Sequence, residues 1–502
     1  MNRFNVKAVA VLFLLSGMVG QRMAVAETAK PADVTYTKDI AAILWKNCAG
    51  CHRPGEVGPF SLLKYQDAAK RADFLVQITA DKRMPPWKAE AGHVQYRDER
   101  RLSEEDLAKL AAWAEAGAPE GDPKDLPEAP KFAEGWQLGE PDMILKLEES
   151  FTIPADGNDI YRCFVLPMNI SEDRYVEAVE FRPGNRRVVH HAIMYLDALG
   201  QGQKKDAADP GPGYESFGGP GILPTGSLGG WAPGATPMRF PADMGRFVKK
   251  GSQLIMQVHY HPWGKEEQDQ SQLGVYFTKT RPSQVVLGIP MIQTRLKIPA
   301  GEARHRVTTE TVVPADVLAI GISPHMHLIG REMKVTATAP DGNQQVLLWI
   351  KDWDFNWQGA YGFATPIPIK KGTKLELEAF YDNSQDNPKN PNSPPKMVRW
   401  GEQTTDEMCL CGLTVATADH ASMTALALMR GARIGLIFGG GFPVDTMKLA
   451  GGVPIPDDYK AALAPFDKNS DGRLSDEEVN AMPPGVKERV RAAISELVGG
   501  AE

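Results

Sequence analysis

The sequence predicts a multidomain protein in which an all-α domain is followed by two β-sandwich domains and a short helical tail. Its 502 residues exceed what one hydrophobic core usually holds, so several domains are expected. Residues 35–121 carry the hydrophobic periodicity of helices, whereas residues 136–425 consist of short β-rich runs separated by Pro and Gly. Residues 455–500 return to a helical pattern.

The helical domain over 35–121 begins with a helical run at 39–47 and ends with a helix predicted over 104–116. Ser103 is a suitable N-cap for this last helix, whose apolar residues recur at helical spacing. The following segment, 122–135, is rich in Pro, Asp and Glu and lacks hydrophobic periodicity. We interpret it as a linker.

Six β-rich runs mark the next region. They cover residues 175–181, 254–260, 273–277, 307–313, 334–338 and 374–381. Strands at this spacing are typical of sandwiches, and the region is long enough for two, which we place at 136–281 and 282–425. The Gly- and Pro-rich segment 210–241 is predicted to be a surface loop or lid.

Composition and charge limit the classes of function. Hydrophobic residues make up 42% and charged residues 24%, as in ordinary globular proteins. The net charge of −7 comes from 56 basic and 63 acidic residues, so no polybasic surface is available for nucleic acid. Nucleic acid is therefore not expected as a partner.

The first 26 residues have the layout of a secretory signal peptide. Basic Arg3 and Lys7 precede an apolar run at 8–20, and the small-residue motif AVA at 24–26 ends the segment. The run is too short to span a bilayer, and no later stretch approaches the ~20 apolar residues that a span needs. We expect a periplasmic or secreted protein that is not an integral membrane protein.

Residues 48–52, CAGCH, form a c-type haem attachment motif. The spacing lets Cys48 and Cys51 form thioethers to one porphyrin while His52 faces its iron. A redox dithiol or half of a zinc site is the alternative interpretation. Export and the lack of a second cysteine pair of this kind argue against that alternative.

The sixth iron ligand is predicted to be Met84, in the Pro-rigid sequence RMPPW at 83–87. His93 is the alternative. Together with the closing helix, this methionine loop makes residues 35–121 resemble a class I c-type cytochrome, which implies an electron-carrying haem c.

Three histidine clusters occur in the β-rich region. His325 and His327 are two residues apart, hence on one face of a strand and able to bind one metal ion. His190 and His191 are adjacent and would point to opposite faces, so joint ligation needs a bulge or a strand end, and His259 can supply a third imidazole. Such sets suit copper, zinc or iron, and a thioether from Met408 would favour Cu(I).

Five stretches, in this order, resemble the copper type II monooxygenases, the group of peptidylglycine α-hydroxylating monooxygenase and dopamine β-monooxygenase. They are residues 161–163 (YRC), 189–191 (VHH), 257–260 (QVHY), 325–331 (HMHLIGR) and 406–409 (DEMC). The resemblance covers residues 136–417 and implies two jelly-roll-like copper domains.

The resemblance also implies a division of labour between two copper ions. His190, His191 and His259 would hold an electron-transfer copper, while His325, His327 and Met408 would hold the copper that binds O2. The two sites would face each other across a solvent-filled cleft, and the reaction would be hydroxylation of an activated C–H bond of a small organic substrate.

The sequence departs from the family pattern at two places. Ser323 stands where the peptide-hydroxylating members have a substrate-binding arginine, so a peptidylglycine substrate is not expected. Most of the family's paired cysteines are missing, which leaves Cys163, Cys409 and Cys411 with at least one free thiol. A bridge from Cys163 to one of the other two is left open.

Residues 467–478, DKNSDGRLSDEE, fit the twelve-residue loop of a single EF-hand. The predicted Ca2+ ligands are Asp467, Asn469, Asp471, Ser475 and Glu478. The remaining histidines His261, His305 and His420 have no motif partner, and we expect ordinary surface or core roles for them.

Taken together, the motifs predict an exported copper monooxygenase whose fused haem receives electrons from a periplasmic donor. The alternative is a non-catalytic haem and copper protein that transfers electrons or handles copper. The sequence does not identify the substrate.

Overall fold

The computed structural model describes residues 34–132, 135–233, 235–401 and 403–419. Beyond them it describes the short pieces 421–427, 429, 453–455, 463–468, 472–483, 485–487 and 490. The predicted signal peptide and His420 lie outside the described residues, as do Asn469 and Asp471 of the predicted calcium loop.

The helices are concentrated in the N-terminal part of the chain. A π-helical turn at Tyr36–Ile40 leads into the first of the following α-helices, and a 3-10 turn covers Pro123–Asp125. The α-helices are α1 Ala41–Asn47, α2 Tyr65–Ala69, α3 Ala72–Ala80, α4 Glu104–Glu115, α5 Gln201–Asp206 and α6 Asp476–Asn480.

Strands dominate the rest. The strands are β1 Met143–Lys146, β2 Phe151–Ile153, β3 Ile160–Pro167, β4 Arg174–Arg182, β5 Val189–Asp197, β6 Tyr214–Glu215, β7 Gly226–Trp231, β8 Met244–Val248, β9 Gln253–Tyr260, β10 Glu267–Asp269, β11 Gln272–Phe277, β12 Gln284–Ile292, β13 Lys297–Ile298, β14 His305–Val312, β15 Val317–His325, β16 Gly330–Thr338, β17 Gln344–Ile350, β18 Tyr361–Ile369, β19 Lys374–Tyr381, β20 Val398–Arg399, β21 Leu410–Thr417, β22 Val453–Pro454 and β23 Arg473–Leu474.

The N-terminal helices enclose their own small core. The prediction of the closing helix is confirmed: Ser103 caps α4 by accepting the N–H of Asp106, whose carboxylate accepts the N–H of Ser103 in return. Leu110 and Trp113 of α4 pack with Leu44 of α1 in the centre of this core.

Two further cores each lie between two sheets, as in β-sandwiches. The first core is shared by the five-stranded sheet β6-β3-β9-β5-β7 and the strands β1, β11, β4 and β8. The second is shared by the four-stranded sheet β14-β19-β16-β17 and the strands β12, β21, β15 and β18. The chain passes from the first core to the second between β11 and β12.

One strand pair joins the two layered units. β8 runs parallel to β12, with Met244 opposite Gln284 and Gly245 opposite Val285. This pairing fuses strands of both units into a single sheet of eight, β1-β11-β4-β8-β12-β21-β15-β18. The two cores therefore have a fixed relation to each other.

All six strands predicted from the sequence are present, as β4, β9, β11, β14, β16 and β19. The prediction that segment 210–241 is only a loop or lid was wrong, because it contains the edge strands β6 and β7. β7 reads GSLGGW and has no alternating pattern, and Gly229 adopts a φ of +110° where its pairing with β5 shifts register. Because β7 is rich in glycine, it lacks the alternation of apolar and polar residues from which strands are predicted.

The segment after α3 leaves the helical core and lies on the second sandwich. Its Ala89 bridges to Ile350 at the end of β17, and its Tyr96 bridges to Phe363 in β18. Trp87 packs edge-on against Tyr361 at a ring distance of 5.1 Å. Residues predicted as part of the helical domain therefore complete the second core.

No helix within the described ranges is long and apolar enough to cross a membrane.

Candidate metal centres

The first histidine cluster lies where β5 and β9 run side by side. His190 and His191 begin β5, and His259 lies near the end of β9. The register of the two strands shifts between Val189 and His191, which is the bulge that joint ligation by adjacent histidines requires. The backbone thus turns all three imidazoles toward one point.

The Nδ1 atoms of this cluster form a nearly equilateral triangle. The His190 nitrogen lies 3.2 Å from that of His191 and 3.1 Å from that of His259, and the last two are 3.3 Å apart. A point equidistant from nitrogens spaced in this way lies about 1.9 Å from each, close to the ~2.0–2.1 Å of metal–imidazole bonds. The three residues therefore fit a metal ion.

Burial keeps His190 and His191 neutral. It lowers the pKa of His190 to about 3, with a further contribution from His259, and it lowers the pKa of His191 well below its ordinary value. Neutral imidazole is the form that binds metals. Three nitrogen donors without a thiolate suit copper, zinc or iron.

Asp159 supports the first cluster from outside. One of its oxygens lies 3.1 Å from Nε2 of His259, an electrostatic contact without an aligned hydrogen bond. The other lies 2.7 Å from Nδ1 of His261, and Thr404 donates to the carboxylate at 2.7 Å. Burial alone would raise the pKa of Asp159, but these contacts lower it. A carboxylate beside Nε2 orients the imidazole and directs Nδ1 to the metal.

The second cluster lies at the end of β15. The rings of His325 and His327 are 5.1 Å apart and nearly perpendicular. Nδ1 of His325 lies 2.5 Å from Oε1 of Gln358, and Nδ1 of His327 lies 3.1 Å from the carbonyl oxygen of Asp406. Both acceptors fix the proton on Nδ1, which leaves Nε2 of each ring as the metal-binding atom.

Burial also keeps the second cluster neutral. It lowers the pKa of His325 to about 4 and that of His327 to about 3. The two clusters therefore present opposite ring nitrogens, Nδ1 in the first and Nε2 in the second.

Glu407 ties the second cluster to the predicted thioether ligand. Its buried carboxylate accepts the backbone N–H groups of His327 and Ile329 at 2.9 Å each and that of Met408 at 3.2 Å. Burial raises the pKa of Glu407 to about 8, and these amide donors oppose the rise. The backbone carbonyl of Met408 accepts the hydroxyl of Tyr381 at 2.8 Å, so the chain on both sides of this methionine is fixed.

Phe355 touches both clusters. Its ring stacks on His190 at 5.1 Å and an interplanar angle of 23°, and it meets His327 edge-on at 5.7 Å. The resemblance to the monooxygenases implied a solvent-filled cleft at this place; in the structure an aromatic side chain lies between the clusters. The two sites are therefore neighbours.

The loop between β17 and β18 holds that ring in place. Nε1 of Trp353 donates to the carbonyl oxygen of His327 at 3.1 Å, and Gln358 contacts His325 as described. Between these anchors, Asp354 closes a turn by accepting the N–H of Asn356. One short loop thus contacts both histidines of the second cluster and presents Phe355 to the first.

The haem motif follows α1 directly. Nδ1 of His52 lies 3.2 Å from the carbonyl oxygen of Phe60, so it carries the proton and leaves Nε2 for iron. A Cβ on Gly58 would lie 2.8 Å from Nδ1 of His52, which explains a glycine there. Both thiols are free, and burial raises the pKa of Cys48 to about 12 and raises that of Cys51.

The candidates for the sixth iron ligand lie in the segment after α3. Met84 is half-buried, and its backbone N–H donates to the carbonyl oxygen of Ile78 at 3.2 Å. Its role as a ligand stays a prediction. His93, the alternative, lies exposed with its ring 5.5 Å from Trp349 of the second sandwich.

The described part of the calcium loop has its carboxylates turned inward. Asp467 accepts the N–H of Gly472 at 2.9 Å, and Glu478 accepts the N–H of Lys468 at 2.7 Å and the hydroxyl of Ser475 at 2.7 Å. Gly472 has a φ of +76°, the conformation for which position six of the loop needs glycine. Calcium binding stays a prediction.

The cysteines outside the haem motif are separate buried thiols. Cys163 packs with Tyr214 and Ile255 beside the first sandwich, whereas Cys409 and Cys411 lie in the second core. None of the three forms a disulfide, so the bridge that the sequence left open is not formed.

Four contacts of the clusters were not predicted from the sequence. Asp159 and Phe355 stand in no motif, and Gln358 lies far along the chain from its histidine. Glu407 lies inside a recognised motif, where its position next to Met408 was a signal that could have been used. The exposed His261 and the ion pair of His305 with Glu302 at 3.0 Å agree with ordinary roles, although His261 shares Asp159 with the first cluster.

The fold and these clusters define a β-sheet protein with two neighbouring histidine clusters, of which the first has the geometry of a metal site. The chain is 26% identical to DBH-like monooxygenase protein 2 of Mus musculus over 285 residues, which cover 52% of this chain and 44% of the relative. It is 24% identical to the putative DBH-like monooxygenase protein 2 of Homo sapiens over 285 residues, with 52% and 54% covered.

The chain thus spans about half the length of the curated relatives it matches. This weak similarity supports the copper type II monooxygenase family and a copper cofactor. No family model matches. A solved structure, the major capsid protein P2 from Bacteriophage PM2, aligns at 10% identity over 55% of this chain and 96% of that one, with a TM-score of 0.21, too low to relate the folds.

Replacing Asp159 by Asn should weaken copper binding at the first cluster by about 10- to 100-fold, because the charge that orients His259 is lost. Titration of metal-free protein with Cu(I) against a competing chelator measures this affinity. The exposed Asp316, which pairs with Lys370, provides the control Asp316→Asn with no expected change. An unaltered affinity in Asp159→Asn would show that the carboxylate does not act on the metal site.

Replacing Cys51 by Ser should abolish one thioether and shift the haem absorption bands of protein produced with a cytochrome c maturation system. The double replacement of Cys48 and Cys51 should leave no covalent haem on a denaturing gel. Cys163→Ser is the matched control, because that thiol lies in another core. Equal haem staining in the double variant and the parent protein would contradict the assignment.

Proposed function

We propose that this protein is a copper-dependent monooxygenase that hydroxylates a C–H bond of a small organic substrate. One oxygen atom of O2 enters the product and the other leaves as water, with two electrons and two protons consumed. The observation that carries the proposal is the pair of neighbouring clusters. In one, three Nδ1 atoms converge; the other offers two Nε2 atoms, and Glu407 links its backbone to that of Met408. The weak similarity to DBH-like monooxygenases supports it.

The candidate ligands fall into two sets, one for each copper ion. His190, His191 and His259 would hold one copper ion, and His325, His327 and Met408 would hold the other. Copper at these places supplies one-electron redox chemistry and, where a thioether favours Cu(I), the activation of O2.

The chain's own residues prepare both holders. Asp159 orients His259, while Gln358 and the carbonyl of Asp406 fix the tautomers of the second pair. Because burial lowers the pKa of His190, His191, His325 and His327, these imidazoles are neutral and no proton has to leave them before a metal binds. Preorganised ligands of this kind avoid rearrangement during turnover.

The N-terminal helical segment is proposed as the electron inlet. Cys48, Cys51 and His52 would hold haem c, which exchanges single electrons. The loop after this motif reaches the first sandwich, where Glu56 pairs with Arg186 at 3.1 Å, four residues before His190. A periplasmic donor would then reduce the protein at its helical end.

A calcium ion held by Asp467, Asn469, Asp471, Ser475 and Glu478 is part of the same proposal. We assign it a structural role, since the loop lies outside both sandwiches.

Replacing Met408 by Ala should abolish substrate-dependent oxygen uptake while His190, His191 and His259 retain their copper. Mass spectrometry of the product formed under 18O2 identifies the reaction, with one labelled oxygen atom expected. The exposed Met397 offers the control Met397→Ala, which should behave as the parent protein. If Met408→Ala consumes oxygen normally, or if products carry no label at full copper occupancy, the non-catalytic electron-transfer alternative holds.

Replacing Phe355 by Leu should lower the rate of product formation by about 10- to 100-fold with both copper ions still bound, since small displacements of reacting groups cost this much. The ring sets the positions of His190 and His327 relative to each other. Phe355→Tyr keeps the ring and should keep most of the rate. Equal rates for the leucine and tyrosine variants would mean that the ring has no positioning role.

A further inference from the structure

A cavity of about 190 Å3 lies between the two sandwiches, lined by residues of β4, β8, β21, β15 and β18 of the eight-stranded sheet and of β5 and β7 of the five-stranded sheet. Its walls are largely apolar, with Val176, Phe181, Leu228, Trp231 and Ile322 among them. Residues 235–238 and Phe240, near the end of the 210–241 segment, also line it. Largely apolar walls of this kind are typical of sites for small organic molecules.

The charged side chains that line the cavity are all positive. Arg97 and Arg246 both line the cavity, and no Asp or Glu does. Nη1 of Arg246 donates to the carbonyl oxygen of Ser227 at 2.8 Å. Since arginine stays charged at every physiological pH, the cavity carries positive charge in apolar surroundings.

Arg97 has hydrogen-bonding capacity to spare. Its Nη1 donates to the carbonyl oxygen of Arg239 at 3.2 Å, but its buried Nε has no hydrogen-bond partner in the described part of the chain. Its guanidinium lies over Gly362, where a Cβ would come within 3.0 Å of Nε. A buried N–H without an acceptor costs free energy. A ligand that supplies the acceptor would remove this cost and bind more tightly.

The backbone holds Arg97 firmly at this place. Its N–H donates to the carbonyl oxygen of Gly362 at 2.7 Å, and the neighbouring Tyr96 bridges to β18. The arginine comes from the segment after the haem motif, so the N-terminal part of the chain supplies one wall of the cavity.

The cavity and the second histidine cluster lie next to each other along β15. Ser323 lines the cavity, and His325 lies two residues further on the same face of the strand, which pairs with β21 without a register shift over residues 321–325. Ala360 and Tyr361 line it on the other side, directly after the loop that carries Gln358.

We propose that this cavity binds the organic substrate of the second metal centre, and that the substrate is a small apolar molecule bearing a carboxylate, which pairs with Arg97. That the bound molecule is hydroxylated rests on the proposed function. Binding of an apolar acid in this cavity is independent of it. The apolar part of the molecule would fill the walls, and the C–H bond to be hydroxylated would lie toward Ser323 and His325. Arg246 adds long-range attraction for the same charge.

Isothermal titration of the full-length protein with matched acid and amide pairs tests this inference. The probes are hexanoate against hexanamide and phenylacetate against phenylacetamide, at low ionic strength. At least one acid should bind more tightly than its amide. Arg97→Met should weaken binding of that acid by about 10- to 100-fold, the value of a charge-assisted hydrogen bond, and leave the amide unchanged.

Two variants separate local from general effects. Arg306→Met removes an exposed arginine that pairs with Glu378 on another sheet, and it should bind acid and amide as the parent does. Ser323→Phe should block both ligands by filling the end of the cavity. Retained amide binding shows that Arg97→Met is folded.

The proposal is overturned if neither acid binds better than its amide, or if Arg97→Met keeps the full preference for the acid. Oxygen uptake is measured separately. Protein that binds acids through Arg97 but forms no labelled product contradicts the monooxygenase proposal alone, and protein that hydroxylates a substrate without this acid preference contradicts the pocket assignment alone.

Discussion

The parallel pairing of β8 with β12 is the constraint on which the rest of the structure depends. Each histidine cluster belongs to a different sandwich, and two sandwiches joined only by a linker would leave the clusters free to separate. Because the backbone hydrogen bonds of these strands fuse the sheets, the end of β15 is held near the start of β5. The contact of Phe355 with both His190 and His327 is a consequence of that junction.

Two buried carboxylates extend the same constraint to individual side chains. Asp159 of the first sandwich contacts His259 and also accepts the hydroxyl of Thr404, which precedes Met408 by four residues. Glu407 collects backbone amides from both chain segments of the second cluster. An acidic group is tolerated in such surroundings only when hydrogen-bond partners satisfy it, so each of the two makes the segments around it interdependent.

The strands and the types of candidate metal-binding residue could be predicted from the sequence, because alternation of apolar residues and the chemistry of imidazole are local properties. It could state that adjacent His190 and His191 need a bulge, and the structure has one at that point. It could not find Asp159, Gln358 or Phe355, since each acts on a histidine that is distant along the chain. It also missed β7, whose glycines carry no hydrophobic pattern, and the departure of residues 87–97 from the helical core.

Residues 87–97 pair with the edges of two sheets of the second sandwich. Residue Ala89 caps the outer strand of the four-stranded sheet, and Tyr96 caps the outer strand of the eight-stranded sheet, so one short stretch covers two sheet edges on the same side of the second sandwich. Uncovered edges present unpaired amides and carbonyls to other molecules and favour intermolecular pairing. The N-terminal part of the chain therefore acts as a built-in guard against self-association, and a fragment cut behind it would expose two templates for aggregation at once.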